Sequence, residues 1–416
     1  AQDNTTNVNQ CDYAAPSSTA RFDNPSRGVM DSSGNLYIAD TGNNKIRKVF
    51  PNKLVGTVAG TGTFGAMDGN ADTAQFNGPT DLAISSTGML YVADAGNDKI
   101  RVINLSAPRT DANFVKTLAG GHTGGGTCNG LASATCNDGT AVLAQFSSPK
   151  GIALATTGEW LNVLDSGNNR LRVVNISLRQ NNANFVRTLA GGHTGGGTCA
   201  GNPLPTCNDC SPGTCPSGND IEFNNPTGIS IYRTTGGTFD YVLIADTGNN
   251  MIRRYNAGAA GSVLIRDIAG GFHTTGGTCA GIPSLPTCND GIMTDAQFNA
   301  PTDVELYISG SPAVGRFYVA DQGNHLVRNI SAISFYTSTL AGDTNPGYAN
   351  GPALQSRFNN PTGLISDQAG KFYIVDKSNH VIRLLDITAS PVVSTYTGTG
   401  VAGPQDDHNS GTTCGA

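Results

Sequence analysis

Short apolar runs recur along the chain, and each is bounded by Gly, Asn, Asp or Pro. The stretch from Tyr37 to Arg47 shows the pattern most clearly: an alternating run ends in Asp, Gly-Asn follows, and a second run carries Arg. Alternation with period two and β-branched residues are typical of strands, and Gly-Asn between two such runs is typical of a tight turn. The pattern therefore predicts antiparallel strands joined by short turns.

The same stretch occurs six times, and in every copy an Asp precedes an Arg by seven residues. The pairs are Asp40/Arg47, Asp94/Arg101, Asp165/Arg172, Asp246/Arg253, Asp321/Arg328 and Asp376/Arg383. Each is preceded by Phe-x-x-Pro, at Phe22/Pro25, Phe76/Pro79, Phe146/Pro149, Phe223/Pro226, Phe298/Pro301 and Phe358/Pro361. Proline suits the first residue of a strand. Six copies point to a structural pair, in which the carboxylate accepts backbone N–H groups of the turn and binds the guanidinium.

Each unit reads as four short strands, because an apolar run and a Gly-bearing turn precede the repeat and a fourth run follows it. Six such units predict an all-β fold, a six-bladed β-propeller of four-stranded antiparallel blades with disulfide-braced inserts. We expect the propeller to span residues 20–400, with an N-terminal tail at 1–19 and a C-terminal tail at 401–416. Each blade is complete in sequence, so ring closure rests on packing between blades six and one. A Cys11–Cys414 disulfide is predicted to tie the tails together.

One unit carries a family resemblance through most of its length. Its parts are Asp68-Gly69, Ala74-Gln75-Phe76-Asn77 with Pro79, Leu90 to Asp94, and Asn97 to Arg101. This unit resembles a bacterial-type NHL repeat, and the resemblance extends over residues 20–400. It implies the six-bladed propeller and says little about activity, since similar propellers serve as binding scaffolds, extracellular modules and a few enzymes.

Ten cysteines lie in the tails and inserts, outside the six repeats. They form near-neighbour pairs, Cys128 with Cys136, Cys199 with Cys207, Cys210 with Cys215 and Cys279 with Cys288, leaving Cys11 and Cys414. An even count outside the core favours disulfides and an extracellular or cell-surface location, as does a start at Ala1 without Met. Zinc is the alternative at Cys207-x-x-Cys210, although structural zinc needs a second converging pair. Candidate glycosylation sites are Asn4, Asn104, Asn175 and Asn329.

Three inserts follow the fourth strands of units two, three and four, from Gly120 to Ala144, Gly191 to Ile221 and Gly270 to Ala296. Their common position predicts one ridge on one face, the insert ridge, over Gly121 to Asp138, Gly192 to Asp209 and Gly271 to Asp290. Candidate binding residues there are His122, Thr123, His193, Thr194, His273 and Thr274. Whole blades separate the three histidines, so a shared zinc site is not expected.

The start of the first strand also departs from the repeat. Units two and five have Asp81 and Asp303 where others have Gly, and Arg27 and Lys150 are read as replacing Thr one position earlier. Two carboxylates facing each other at a channel mouth suit calcium or acid–base chemistry. The alternative is that Thr-Asp caps the strand entry. No other cofactor or metal is predicted.

Composition narrows the class of partner. A formal charge of −6 argues against nucleic acid and anionic membranes as partners. The chain has no apolar run of the roughly 18 residues needed to span a bilayer, so membrane insertion is not expected. We expect a secreted, non-enzymatic binding or structural module whose partner is a protein, a glycan or other copies of itself, assembled as a filament through the insert face.

The alternative is a channel-centred metal-dependent lyase or lactonase-type hydrolase, so the enzyme question stays open while leaning to no. The resemblance implies one candidate, a peptide-amidating lyase whose zinc is held by channel histidines. This chain departs from that pattern, because His325 and His380 follow the second strand and no histidine lies on a predicted first strand. A lactonase-like site would have only Asp81, Asp303 and Glu305 to work with.

Overall fold

The computed structural model describes residues 19–121, 126–128, 131–133, 136–191, 197–199, 202–204, 222–233, 240–257, 263–270, 277–279, 282–285, 290–309 and 314–403. Within these ranges the strands form six antiparallel blades, and the first strands contact one another around a closed ring. The predicted six-bladed propeller of four-stranded blades is confirmed. No helix in the described ranges has the length and apolar character needed to cross a bilayer.

Every blade consists of four strands that are consecutive in sequence and pair in order. Blade 1 contains Gly28–Met30, Leu36–Asp40, Lys45–Val49 and Val55–Ala59; blade 2 contains Pro79–Ile84, Met89–Asp94, Lys99–Asn104 and Val115–Gly120. Blade 3 contains Pro149–Leu154, Trp160–Asp165, Arg170–Asn175 and Val186–Gly191; blade 4 contains Gly228–Arg233, Asp240–Asp246, Met251–Ala257 and Val263–Gly270. Blade 5 contains Pro301–Ser309, Val314–Asp321, Leu326–Ser331 and Tyr336–Ala341; blade 6 contains Pro361–Ser366, Lys371–Asp376, Val381–Asp386 and Val392–Thr397.

The linkers between blades cover the outer edges of the sheets, which the sequence did not predict. Before it turns inward, the linker that enters a blade pairs with the outermost strand of that blade, at Gly69 with Val115, Gly139 with Val186, Gly291 with Thr337 and Gly351 with Val393. In blades 5 and 6 this pairing forms a short fifth strand, at Gly291–Ile292 and Gly351–Pro352. Since an unpaired edge invites association with other chains, this arrangement protects part of the outer edge in these four blades.

The turn after each second strand differs from the expected Gly-Asn hairpin. It is one 3₁₀ turn, Thr41–Asn43 in blade 1, and the positive φ belongs to the residue after it, Asn44 at 53°. Gly42 instead allows the close approach of the Asp23 backbone, because a Cβ at Gly42 would lie 2.8 Å from the carbonyl oxygen of Asp23. The other equivalent turns are Ala95–Asn97, Ser166–Asn168, Thr247–Asn249, Gln322–Asn324 and Lys377–Asn379. In blade 1 the positive φ of the turn therefore falls on the residue that follows Gly-Asn.

A buried clamp joins the Asp/Arg pair to the Phe-x-x-Pro segment of the same blade. In blade 2, Arg101 Nη1 donates to Asp94 Oδ2 at 2.8 Å and to the carbonyl of Gln75, and the guanidinium lies 5.2 Å from the centroid of the Phe76 ring. Asp94 also accepts the N–H of Asn77. The ion pairs measure 2.9 Å for Asp40–Arg47, 3.0 Å for Asp165–Arg172, 3.2 Å for Asp246–Arg253, 2.9 Å for Asp321–Arg328 and 2.8 Å for Asp376–Arg383.

A second repeated contact links each blade to the next. The side chain of the residue with positive φ accepts a hydrogen bond from a backbone N–H in the following Phe-x-x-Pro segment. Asn44, Asp98, Asn169 and Asn250 accept from Gly78, Ser148, Asn225 and Ala300 at 2.7–2.8 Å, and His325 and His380 accept through Nδ1 from Asn360 and Asn24 at 3.2 Å. These six hydrogen bonds, which include the one from His380 to Asn24, run once around the ring.

Ring closure between blades 6 and 1 uses the same contacts with additional packing. Phe22 and Ile38 of blade 1 share a buried apolar cluster with Ile365 and Tyr396 of blade 6. The chain after blade 6 adds hydrogen bonds to blade 1, one of them from Thr399 N to the carbonyl oxygen of Ala20. The predicted Cys11–Cys414 disulfide lies outside the described residues.

Breaking one clamp should cost much more stability than breaking a surface ion pair. Both side chains of the Asp376–Arg383 pair are fully buried, and Asp376 is the one carboxylate that Arg383 binds among the described residues, so Asp376→Ala leaves a buried guanidinium without a carboxylate. We expect unfolding free energy to fall by about 3–5 kcal/mol. The control is Arg357→Ala, since the Arg357 side chain is 48% exposed beside Asp343, and it should cost less than about 1 kcal/mol. Urea unfolding measures both, and equal losses would contradict a clamp.

Acid should weaken the junction between blades 5 and 6. Burial lowers the pKa of His325, so its contribution to stability is complete above the unfolded pKa of about 6.5 and is lost as pH falls through the lower folded value. His325→Asn keeps an acceptor that does not titrate in this range, as Asn44, Asn169 and Asn250 do at other junctions. Between pH 7 and 5 the wild type should lose about 1 kcal/mol relative to this variant.

His380→Asn is the matched comparison for that experiment. Its Nδ1 accepts a hydrogen bond from Asn24 at 3.2 Å and lies 3.7 Å from the carboxylate oxygen Oδ1 of Asp23, a neighbour that His325 lacks among the described ion pairs. The difference from wild type should therefore be smaller than for His325→Asn. Parallel pH profiles for wild type and His325→Asn would show that the His325 hydrogen bond is not the acid-sensitive contact.

Candidate functional site

The first strands of the six blades line the axis of the propeller. One residue from each blade lies at the same level near their start, in blade order Arg27, Asp81, Gly151, Gly228, Asp303 and Gly363. The predicted alignment of Arg27 with Lys150 is wrong by one position. Gly28 pairs with Ile38, two residues before the repeat Asp, whereas Gly151 pairs with Leu164, one residue before it. Arg27 thus shares the level of the two aspartates, and Ser26 takes the position of Lys150.

The glycines at this level allow the first strands to approach one another. A Cβ on Gly151 would meet the carbonyl oxygen of Thr227 at 2.3 Å, and one on Gly228 would meet the Cα of Asp303 at 2.5 Å. Blades 3, 4 and 6 therefore contribute no side chain here. The space on the axis is left to Arg27, Asp81 and Asp303.

Arg27 crosses the axis and contacts blades 2, 3 and 5. Its Nη1 donates to the carbonyl of Lys150 at 3.2 Å, and its Nη2 donates to the carbonyl of Thr302. The guanidinium lies 3.6 Å from a carboxylate oxygen of Asp81 and 3.6 Å from one of Asp303. All three side chains are buried, so this group closes the channel at this level.

Asp81 and Asp303 also fasten neighbouring blades together. Asp81 accepts the N–H of Leu82 at 2.8 Å and, with its other oxygen, the N–H of Ile152 in blade 3 at 2.9 Å. Asp303 repeats the arrangement with Val304 and with Leu364 in blade 6. The strand-entry alternative therefore describes their geometry, because each carboxylate oxygen already accepts a backbone hydrogen bond.

Burial raises the pKa of all three acidic side chains near the axis. The pKa of Asp81 rises to about 7 and that of Asp303 to about 6, and in both the positive charge of Arg27 opposes the effect of burial. The pKa of Glu305 rises to about 8, through burial first and then the charges of Asp303 and Asp81. Its hydrogen bond from Ser230 at 3.2 Å opposes the rise. The cluster therefore holds protons near neutral pH.

Arg27 lies between two cavities of opposite character. The face on which fourth strands end and first strands begin carries the inserts, and we call it the insert face. Glu305 follows Asp303 along the first strand, away from this face, and with Asp81 lines an acidic chamber of about 250 Å³. On the insert-face side lies a basic chamber of about 210 Å³, lined by Ser26, Arg27, Thr80, Lys150, Asn225, Thr227, Thr247, Thr302, Gln322, Thr362 and Lys377. Lys377 and Gln322, the first residues of 3₁₀ turns, were not predicted.

The position of Arg27 is relevant to the predicted calcium site between Asp81 and Asp303. Arg27 lies within 3.6 Å of both facing carboxylates, where a cation between them would meet its positive charge. Within the described parts of the chain, no group of three or more His, Cys, Asp and Glu side chains is arranged to hold a metal. His325 and His380 lie between blades, where their Nδ1 atoms accept backbone hydrogen bonds.

The inserts begin in close contact with the blades, and the first and third inserts also end in contact with them. Gly120, which starts the first insert with φ 96°, would place a Cβ 2.9 Å from the ring of Phe146. At the other end Asp138 binds Arg172 at 2.9 Å, and Asp290 binds Arg328 at 2.7 Å in the third insert. Within the inserts the described backbone forms three hairpins, Gly126–Cys128 with Leu131–Ser133, Gly197–Cys199 with Asn202–Leu204 and Gly277–Cys279 with Ile282–Leu285.

Several predicted residues of the inserts and tails lie outside the described side chains. These are His122, Thr123, His193, Thr194, His273, Thr274, Asn4 and every cysteine except Cys136. Cys136 is buried in a disulfide. Two predicted glycosylation sites are buried in third strands: Asn175 Oδ1 accepts a hydrogen bond from Ser177, and Asn329 Nδ2 donates to Ser338. A glycan on either would have to displace these contacts, while Asn104 is half-buried.

Comparisons with known proteins give relatives and a fold. No protein-family model matches the chain. NHL repeat-containing protein 2 of Bos taurus is 27% identical over 386 residues, which are 88% of this chain and 47% of that protein. The protein of the same name from Gallus gallus is 26% identical over 405 residues, or 93% of this chain and 49% of that protein. The chain thus spans about half the length of the curated relatives it matches.

A solved structure agrees with the fold. An auxiliary nutrient binding protein from Bacteroides ovatus superposes with a TM-score of 0.55 at 17% identity, covering 90% of this chain and 70% of that one. At this identity the likeness supports the fold alone.

The acidic cluster should make stability fall as pH rises. Between about pH 4.5, the ordinary pKa of Glu, and about pH 8, folded protein keeps a proton on Glu305 that the unfolded chain has lost. Glu305→Gln cannot titrate, so its stability should decline less over this window, by an amount on the order of a few kcal/mol. Urea unfolding from pH 4.5 to 8.5 tests this, with exposed Glu159→Gln as control. If Glu305→Gln follows the wild-type profile, Glu305 is ionised throughout the window.

Proposed function

Since the chain is an NHL-repeat six-bladed β-propeller, we propose that it is a non-enzymatic extracellular binding protein that contacts its partner through the insert face. The observation that carries the proposal is the mounting of the inserts. Three consecutive blade junctions each present a hairpin, and Asp138 and Asp290 anchor the first and third inserts to the propeller. A rigid mounting lowers the entropy cost of ordering loops upon binding.

The uneven distribution of the inserts around the ring supports the insert face as the interaction surface. Blades 1 and 5 are followed by short linkers, and blades 2, 3 and 4 are followed by the long inserts, so the hairpins occupy one side of an otherwise repetitive face. The central framework does not need them, because Asp68 of a short linker binds Arg101 at 2.7 Å as Asp138 and Asp290 bind their arginines. An extension beyond what the blades require is a candidate for recognition.

The axis supports a binding role over the channel-centred enzyme. Arg27 fills the level where a cation or substrate would meet Asp81 and Asp303, and both aspartates hold backbone N–H groups of two blades. The lyase that the family resemblance suggests would hold its zinc with histidines that face the channel. The described histidines of this chain instead accept hydrogen bonds between blades.

The extracellular location in this proposal rests on disulfide formation by the insert cysteines. Cys136 is in a disulfide, and we assign its partner as Cys128, the near neighbour that ends the first strand of the hairpin. Equivalent pairs would brace the second and third inserts. Such cross-links restrict Gly-rich loops and persist in oxidising compartments.

The partner in this proposal is a second copy of the chain, because repeated surfaces readily form head-to-tail contacts that extend into a filament. The test replaces residues 121–137 and 271–289 by residues 61–67, the short linker that retains the Asp-Gly anchor. Ultracentrifugation and electron microscopy should show concentration-dependent assembly for wild type and at least a tenfold weaker association for the variant. Ser86→Arg on the opposite face is the control. Assembly of the folded variant at wild-type strength would refute docking through the inserts.

A further inference from the structure

The basic chamber on the insert-face side of Arg27 carries positive charge that nothing in its lining neutralises. Its residues include three cationic side chains and no carboxylate. The two aspartates that face Arg27 line the acidic chamber instead. Lys150 and Lys377 take part in no ion pair with the described residues. Two ammonium groups therefore share one cavity without a counter-charge.

The electrostatics of the two lysines agree with this arrangement. Burial lowers the pKa of Lys150, and the positive charges of Arg27 and Lys377 lower it further. Burial and Arg27 act on the pKa of Lys377 in the same direction. A bound anion would remove the repulsion and stabilise both charged forms.

Donors from several blades converge on this chamber. Lys150 Nζ uses one hydrogen on Asn225 Oδ1 at 2.8 Å and retains two more. The side chains of Ser26, Gln322 and Lys377 make no hydrogen bonds with the described residues. The threonine hydroxyls differ, since those of Thr227 and Thr362 donate to main-chain carbonyls of the next blade. The open donors thus come from blades 1, 3, 5 and 6.

We propose that the basic chamber binds a small oxyanion, either a phosphate or a short carboxylate, through Lys150, Lys377 and the neighbouring Ser26, Asn225 and Gln322. A volume of about 210 Å³ is large enough to admit such a group. Ammonium groups and neutral N–H and O–H donors are the partners that oxyanions take in proteins. This site is independent of docking through the inserts, because it needs only the first strands and the 3₁₀ turns.

Substitutions taken from other blades test the site without disturbing the fold. Lys150→Thr restores the residue present at Thr80, Thr227, Thr302 and Thr362, and Lys377→Thr restores the residue present at Thr41 and Thr247. Each variant removes one charged hydrogen-bond donor. Since such a bond contributes about 1.5–3 kcal/mol, each should weaken anion binding by about ten- to hundredfold. Lys116→Thr, on an exposed outer strand, removes the same charge elsewhere and should leave affinity unchanged.

The measurement is calorimetric titration with inorganic phosphate, and separately with succinate, at constant ionic strength. Saturable binding of one or both by wild type, lost in both chamber variants and kept in Lys116→Thr, is the expected result. The stronger of the two ligands identifies the source of the oxyanion. Absence of saturable binding by folded wild type would overturn the proposal, and so would an equal loss in Lys116→Thr, which would mean that net charge alone attracts the anion.

Discussion

The buried arginine of each repeat is the interaction on which the propeller depends. Its guanidinium stacks on the Phe of the Phe-x-x-Pro segment and binds the Asp that ends the second strand, so it fixes the entry of the chain onto its own blade. That entry then places the aromatic ring against the preceding blade and offers a backbone N–H to that blade's turn. One side chain therefore sets both the shape of a blade and its distance from its neighbour.

The departures from sixfold symmetry are concentrated on the axis, where symmetry would be unfavourable. Six identical charges at one level would repel one another, whereas one arginine between two aspartates leaves at most one net negative charge. Glycine in the other three blades makes the room that the arginine needs. The result is a channel divided into an acidic and a basic chamber, with the inserts on the basic side.

Much of this fold could be predicted from the sequence, because Asp/Arg spacing and alternation are local patterns. The strand count, the turn position of Asp40 and its equivalents and the order of the blades all depend on neighbours along the chain. The site was harder to predict. Arg27 was misaligned by one residue because Gly28 looks like Gly151 in sequence, and only the pairing with Ile38 distinguishes them. Lys377 and Lys150 come from opposite blades and line the same chamber, and no short-range sequence pattern indicates that they do.

The acid-sensitive junction has a consequence for how this ring comes apart. Blades 1 and 6, the first and last along the chain, meet at a junction where His380 lies 3.7 Å from the carboxylate of Asp23. His325, which takes part in no ion pair with the described residues, lies instead between blades 5 and 6. Those blades are joined by continuous chain through residues 342–356. Loosening there separates two surfaces that remain tethered, so their effective concentration stays high and the gap can reseal when the pH recovers. The ring would thus open at a junction whose two blades stay connected by the chain.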